Sequence, residues 1–364
     1  MKILVTGAHF TPAVAVIEQF KKDKDIKIVY VGRRTTLEGD KTPSQESQIL
    51  PNLGIKFIPI TTGRLQREFT IYTILSFLKI PIGFIQAFYI LLTEKPDVIL
   101  SFGGYVAVPL VMMGWLFFIP IIIHEQTLVS GLANKISSFF ADKIAISFKE
   151  TKRIFNKEKT ILTGNPLRRA ILDMDTKGVK LTHPKGVQKG VQILIMGGSQ
   201  GSHVINLAVE GCLDKLTKIA KIIHVTGDNK FDDFDRLENL QNDHYLVKKW
   251  IGEEYGNILS KVDLVISRAG INTLTELAYI GKPTLVIPIP FQEEQIKNAH
   301  YFESLGLVKI LSQNKLSAKS LMENVRVCLN DFNHFKKRAK NAKKVIMPDA
   351  AKRLALETIL LAKK

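Results

Sequence analysis

Cysteine is nearly absent from this 364-residue chain: Cys212 and Cys328 are the only two. They lie far apart, in no spacing that suits a disulfide framework or a metal site, and nothing about them points to an oxidising compartment. Low-complexity tracts and short-period repeats are also missing, which excludes solenoids and fibrous arrays. Residues 3–6 (ILVT) form a strand-like run directly after Met1 and Lys2, so no signal peptide is expected. Clean membrane-length apolar runs are lacking too. Residues 71–92 are long enough, but Lys79 and Pro81 interrupt them, and Thr73, Ser76, Lys79, Gly83 and Gln86 share one stripe at helical spacing. Two amphipathic helices meeting at Pro81 are expected there. Residues 106–123 carry Pro109, Gly114 and Pro120 and divide into a helix and a strand.

Positive charge, by contrast, is in excess: 51 Lys and Arg against 34 Asp and Glu give a net charge of +17. That balance suits an anionic partner, whether phosphate, nucleic acid or an anionic membrane surface, although solvated lysines alone produce the same number. With 46% hydrophobic and 23% charged residues, the chain is globular and long enough for two domains with separate cores.

Short apolar runs alternate with helical patterns throughout. Strands are expected at residues 2–6, 26–31, 55–60, 97–101, 120–124, 143–147 and 160–162, then at 192–196, 221–225, 245–248, 262–267 and 283–287, with a closing helix at 350–362. This is an α/β pattern of two doubly wound, Rossmann-like domains with a cleft between their strand ends. A polar linker at 178–190 is one candidate boundary, and Gly164-Asn165-Pro166 is another. The division adopted is 1–163, 164–345 and a terminal helix, 346–364, returning towards the first domain.

The densest signal is VQILIMGGSQGS at 191–202. A buried strand runs into a turn without bulky side chains, and an apolar helix pattern follows at once. Free backbone N–H groups and the helix dipole then point at one spot, which makes an anion site suited to the diphosphate of an activated donor. Ser199 and Ser202 add hydroxyls. The same residues match G-x-S-x-G, so a serine hydrolase with Ser199 as nucleophile, and Asp263 and His300 as partners, stands as an alternative. Asp233-Phe234-Asp235 has the form of a metal-binding pair but sits in a charged stretch far from any glycine turn.

Other junctions have two readings each. VTGAHFTP at 5–12 opens like a dinucleotide fingerprint but lacks its later glycines. His9 there suits a neutral general base at a helix N-terminus, or a structural cap. Gly103-Gly104 permits close approach of a backbone or a ligand. His124 and Glu125 serve acid/base work or fasten loops, and fastening is preferred. Thr273 and Glu276 have capping-box spacing, while Glu276 also suits a sugar diol. The polar turn at 292–298 matches sugar hydroxyls or a solvated helix start.

GGYV at 103–106, HEQ at 124–126, GLANK at 131–135, GNPLR at 164–168, GGSQGS at 197–202 and the run from Arg268 to Ala299 occur in that order. In this combination the chain resembles the MurG family, N-acetylglucosaminyltransferases that convert lipid I to lipid II in peptidoglycan synthesis. The resemblance implies a GT-B fold and an inverting enzyme that uses UDP-N-acetylglucosamine and needs neither metal nor cofactor. It implies a donor site in the second domain, and in the first a site for the undecaprenyl-linked acceptor, lipid I. It also implies peripheral attachment to the anionic cytoplasmic face of the cell membrane, with no nucleic acid partner. By motif, the resemblance places Ser199 at the diphosphate, Arg168 at the nucleotide side, the Ile251 backbone at the uracil, Glu276 at the ribose hydroxyls and Gln295 at the sugar, with Gln200, Thr275 and Thr127 as further substrate-binding residues. Thr6, Gly7 and Ala8 face the reaction centre, and His9 is the catalytic base. Residues 71–92 with Trp115, ringed by Arg64, Arg67 and Lys79, form the membrane-facing patch. Three departures stand out: the first loop has lost most of the family's glycines, Thr127 replaces an asparagine, and Glu294 replaces a glutamine. A non-catalytic nucleotide-sugar-binding relative is therefore a further alternative.

Overall fold

The computed structural model describes residues 1–35, 43–63, 71–176, 190–198 and 200–363, with backbone alone for 71–78 and 175–176. The chain divides into two compact units, Met1–Arg168 with Met347–Lys364, and Arg169–Ile346.

In the first unit, β1 (Lys2–Thr6), β2 (Lys27–Gly32), β3 (Lys56–Pro59), β4 (Val98–Ser101), β5 (Ile121–Glu125), β6 (Lys143–Ile146) and β7 (Thr160–Leu162) make one sheet. Their order is β3-β2-β1-β4-β5-β6-β7, and each neighbouring pair is parallel. Ile3 sits opposite both Ile28 and Val98. A parallel sheet is covered by helices on both faces, so its strands read as apolar runs without alternation. Accordingly Ile3 and Val5 pack with Ile17 and Phe20 on one face, while Leu4 and Ile99 pack with Leu91 and Leu110 on the other. The last helix, Ala350–Ala362, belongs to this unit and lays Leu354 and Ala355 on the first of those clusters.

The second unit repeats the plan with β8 (Val191–Met196), β9 (Ala220–Val225), β10 (Tyr245–Lys248), β11 (Leu264–Ser267), β12 (Thr284–Val286) and β13 (Val308–Ile310). The order is β10-β9-β8-β11-β12-β13, again parallel at every pair. Each sheet therefore reverses its winding once, between β1 and β4 and between β8 and β11. Ligands of such sheets bind beyond the carboxyl ends of the strands at that reversal.

One expectation about the helices fails. Residues 71–94 form a single helix, Ile71–Glu94, that runs through Pro81. A proline inside a helix costs about 3 kcal/mol, and burial of Ala87, Ile90 and Leu91 in the core offsets it. Two members of the polar stripe, Gly83 and Gln86, meet the loop after β3. Gln86 Oε1 accepts from the Thr61 backbone N–H at 2.7 Å, and a Cβ on Gly83 would lie 2.6 Å from the Thr62 side chain. On the same helix Ile82, Ile85, Tyr89 and Leu92 are exposed. Among the described residues no helix is long and apolar enough to cross a membrane. The linker read at 178–190 falls, except for Gly190, outside the described residues.

Candidate active site

At the first reversal the turn after β1 meets the turn after β4. The Ala8 N–H donates to the Gly103 carbonyl at 2.9 Å and the Phe102 N–H to the Thr6 carbonyl at 2.7 Å. Gly7 has φ +134°, and a Cβ there would lie 2.8–2.9 Å from the backbone of Phe102 and Gly103. Only glycine fits that approach. Gly104 likewise faces the Ala8 Cβ at 2.5 Å, so the glycine pair is met by protein. The Tyr30 hydroxyl donates to the Gly7 carbonyl at 2.9 Å and fixes the turn from behind.

His9 is the N-cap residue of helix Phe10–Phe20, but its side chain makes no capping hydrogen bond. The structural-cap reading is thereby removed. Burial, and then the nearby Arg33 guanidinium, lower its pKa from 6.5 to about 4. His124, at the end of β5, is also lowered to about 4, by burial and by His9, against a raising hydrogen bond to Gly164. Its Nε2 lies 3.1 Å from the Gly164 carbonyl and 3.2 Å from Ser147 Oγ. That nitrogen carries the proton, and Nδ1 holds the lone pair.

Glu125 is fully engaged. One carboxylate oxygen accepts from the Thr127 N–H at 3.0 Å and hydroxyl at 2.8 Å, the other from Asn134 Nδ2 at 3.0 Å. His124 and Glu125 thus fasten loops, as preferred from sequence. Around this cluster Thr6 Oγ1, His124 Nδ1, Gln126 Oε1 and Asn134 Oδ1 are buried without a hydrogen-bond partner among the described residues. Each such atom costs about 1–3 kcal/mol, and four of them gather at this reversal.

The second reversal is open. A cavity of about 250 Å³ is lined by Gly197, Gly198, Gln200, Gly201, Arg268, Gly270, Thr273, Ile289 and Gln295, among others. A Cβ on Gly198 would touch nothing within 4 Å, whereas one on Gly201 would lie 1.7 Å from the Thr226 carbonyl oxygen. The turn after β8 therefore crosses the turn after β9 backbone to backbone. Asn206 Nδ2 donates to the Thr226 carbonyl at 3.2 Å, and His224 Nε2 lies 3.0 Å from Asn206 Oδ1. This buried network sets the crossing.

Arg268 directly follows β11. Its guanidinium donates to the Ile287 carbonyl and to Ser202 Oγ, both at 2.8 Å. Burial alone lowers its pKa to about 10, so it stays charged at neutral pH. Both acceptors are neutral oxygens, and a half-buried cation on a cavity wall beside a helix N-terminus attracts an anion. Asn298 supports this wall through a 3.1 Å hydrogen bond to the Ala269 carbonyl. Sequence reasoning gave Arg268 and Tyr30 no role, and read Asn298 only as part of the polar turn at 292–298. A lone arginine immediately after an apolar strand was the available signal for the first.

Of the remaining sequence candidates, Gln200 and Gln295 line the cavity, whereas Ser199 lies outside the described residues. Gln295 Oε1 accepts from the Ile289 N–H at 3.1 Å. Helix Ile271–Ile280 starts after Gly270 with no side-chain cap, so the capping box between Thr273 and Glu276 does not form. Thr273 lines the cavity, while Thr275 is buried and donates to the Ile271 carbonyl at 2.7 Å. That hydrogen bond lies within its own helix. Glu276 is buried on the same helix. Ile251, in the loop after β10, and Arg168, the last residue of the first unit's long segment, are half-buried.

The hydrolase triad is not assembled. Asp263 accepts from the Gln192 N–H at 3.0 Å, at the far end of β8 from the glycine turn. His300 is exposed and lies 3.5 Å from Glu303. Asp233 is likewise committed, to His203 at 2.8 Å, Asn206 at 2.7 Å, Asn229 at 3.0 Å and Arg236 at 2.7 Å. It braces the β9 turn.

Comparison with known proteins agrees with this geometry. The glycosyltransferase family 28 N-terminal domain matches residues 6–146 and its C-terminal domain residues 192–354. The UDP-N-acetylglucosamine–N-acetylmuramyl-(pentapeptide) pyrophosphoryl-undecaprenol N-acetylglucosamine transferase of Clostridium botulinum (strain Loch Maree) is 35% identical over 340 residues, 91% of this chain and 92% of the relative. Acinetobacter baumannii MurG superposes with a TM-score of 0.72 at 23% identity, over 99% of both chains. CalG4, the calicheamicin glycosyltransferase, gives 0.71 at 12% identity, over 100% of this chain and 98% of that one. The fold is GT-B, two parallel α/β sheets of seven and six strands. On the strength of that likeness across nearly its whole length, the chain belongs to the MurG family of glycosyltransferases.

Proposed function

We propose that the chain transfers N-acetylglucosamine from UDP-N-acetylglucosamine to the muramoyl-pentapeptide of lipid I, forming lipid II. The observation that carries this reading is the open glycine turn with Arg268 at the second reversal. The diphosphate takes the amides of the 197–201 turn, the N-terminus of helix His203–Glu210 and the Arg268 guanidinium. The helix N-terminus and Arg268 are in place before reaction, so they stabilise the charge that UDP gains as it leaves. Gln295 holds the sugar. The uracil at the Ile251 backbone, the ribose at Glu276, and the contacts of Arg168 and Ser199 follow from the family's motifs.

The acceptor binds the first unit, where Thr6, Gly7, Ala8 and Thr127 surround the unpartnered polar atoms. His9 takes the proton of the acceptor hydroxyl, whose oxygen attacks the anomeric carbon. The bond to the diphosphate breaks and configuration inverts. With its pKa near 4, His9 is neutral through the physiological range, so it is ready to accept a proton although a weak base.

A lipid-linked acceptor requires access to a membrane, and the first unit has a surface for it. Ile85 is 58% exposed on helix Ile71–Glu94, Trp115 55% exposed on helix Ala107–Leu116, and Phe118 94% exposed just beyond. Apolar side chains in such a group mark an interaction surface, and the net positive charge of the chain favours the anionic cytoplasmic face. Arg64 and Arg67, expected at its rim, lie outside the described residues.

Release of UDP from UDP-N-acetylglucosamine with lipid I in mixed micelles tests the reading. Lipid II and UDP should appear in equal amounts, in EDTA as well as without it. UDP-N-acetylglucosamine binding without any transfer would favour a non-catalytic relative, and covalent labelling of Ser199 by a serine-directed probe would favour hydrolysis.

A further inference from the structure

The turn that leads from β12 into helix Glu293–Ser304 spends stability on presenting one aromatic side chain. Gln292 N–H donates to the Ile289 carbonyl at 3.3 Å, closing a four-residue turn with Pro290 second and Phe291 third. Phe291 has φ +61°. A turn with proline second and positive φ third calls for glycine or asparagine at that third position, and a bulky side chain there is strained. Phe291 is nevertheless 92% exposed, so the fold gains almost no burial from the ring in return. Strain of this kind persists where the surroundings enforce it, and it gathers at functional sites.

The surroundings here belong to the donor cavity. Gln295 pins the turn from inside, accepting from the Ile289 N–H at 3.1 Å and donating to Gln292 Oε1 at 3.1 Å. Ile289 and Gln295 both line the cavity, and Phe291 stands between them in the chain, two residues after the first and four before the second. At about 250 Å³ the cavity is smaller than the roughly 300–1,000 Å³ that encloses a small ligand. A nucleotide sugar anchored at the glycine turn must overhang the edge. Gln292 and Gln295 offer amides to hydroxyls there, and a hexose also has a face of C–H bonds that packs on an aromatic ring.

We propose that Phe291 is a sugar-contact residue, its ring set against the C–H face of the N-acetylglucosaminyl group of the donor. This deepens the donor assignment above and depends on it. Equilibrium binding of UDP and of UDP-N-acetylglucosamine to the Phe291→Gly and Phe291→Tyr chains, with thermal unfolding of each, tests it. Glycine relieves the turn, so Phe291→Gly should unfold at the same temperature as the parent or higher and bind UDP unchanged. Its affinity for UDP-N-acetylglucosamine should fall about three- to tenfold, the worth of one aromatic contact, while Phe291→Tyr keeps parental affinity for both. Should Phe291→Gly not fold, Phe291→Asn, also suited to positive φ, takes its place. An unchanged ratio of the two affinities in the glycine or asparagine chain overturns the proposal. A parent chain that binds neither nucleotide would remove the donor assignment and the proposal with it.

Discussion

At the first reversal the glycine turn is filled by its neighbour: Ala8 bonds to Gly103, and Gly7 lies against the backbone of Phe102. In the corresponding turn of the second unit, built by the same strand order, Gly201 is met by the β9 turn in the same way, but Gly198 faces open space beside a cavity with Arg268 on its wall. The titratable groups differ in the same sense. The first has two histidines that burial keeps neutral, the second a cation whose hydrogen bonds go to neutral oxygens. One topology thus holds neutral histidines beside one turn and a cation beside the other. Topology sets where a site can be; the residues in the two turns set its chemistry.

Separate roles make separable losses. The largest is expected for His9→Ala, which should lower turnover about 10²–10⁴-fold and leave the affinity for UDP unchanged by calorimetry. A parallel loss of UDP affinity would mean that the two reversals do not divide the work. Next, Arg268→Ala should weaken UDP binding about 10–100-fold, since hydrogen bonds to a charged group contribute about 1.5–3 kcal/mol. Arg268→Lys should recover only part, because an ammonium cannot reproduce the planar fork.

Acid separates the units more gently. His124 is buried with a pKa lowered to about 4, and His224 in the second unit is lowered to about 3, mainly by burial. The unfolded chain binds those protons near pH 6.5 and the native chain only well below it, so native stability falls as pH drops through that interval. The slope per histidine is at most about 1.4 kcal/mol per pH unit. Urea titrations at pH 7, 6 and 5 should show this, and a His124→Gln chain should show a shallower slope. The smallest effect is expected for Thr127→Asn. The Thr127 hydroxyl lies 2.8 Å from Glu125 Oε1 and 2.6 Å from the Val129 carbonyl, so the change should cost about 0.5–1.5 kcal/mol in a thermal melt, with UDP binding intact.

Much of this was readable from the chain alone, for a physical reason. Strands buried on both faces are continuous apolar runs closed by glycine or polar residues, and β1, β7 and β10 and the last helix match the expected residues fully. β13 was not anticipated, because Val308–Ile310 is three residues long with a lysine at its centre. Helix Gln45–Asn52, with one fully buried leucine and an internal Pro51, carries no apolar stripe to find. Helix Ile71–Glu94 was divided at Pro81 because a local rule ignores the core contacts that hold the helix whole. At the site, the glycine turn was evident from spacing, but Arg268 and the strain at Phe291 were not. Both depend on the folded chain: Arg268 reaches Ser202, 66 residues away in sequence, and Phe291 takes its positive φ from the turn that Gln292 closes onto Ile289.

A crystal structure of the chain with UDP-N-acetylglucosamine separates this account from its rivals. The diphosphate oxygens should lie within about 3 Å of the backbone N–H groups of the 197–201 turn and of the Arg268 guanidinium. Phosphates held in the first unit instead, beside Gly7 and His9, would contradict it.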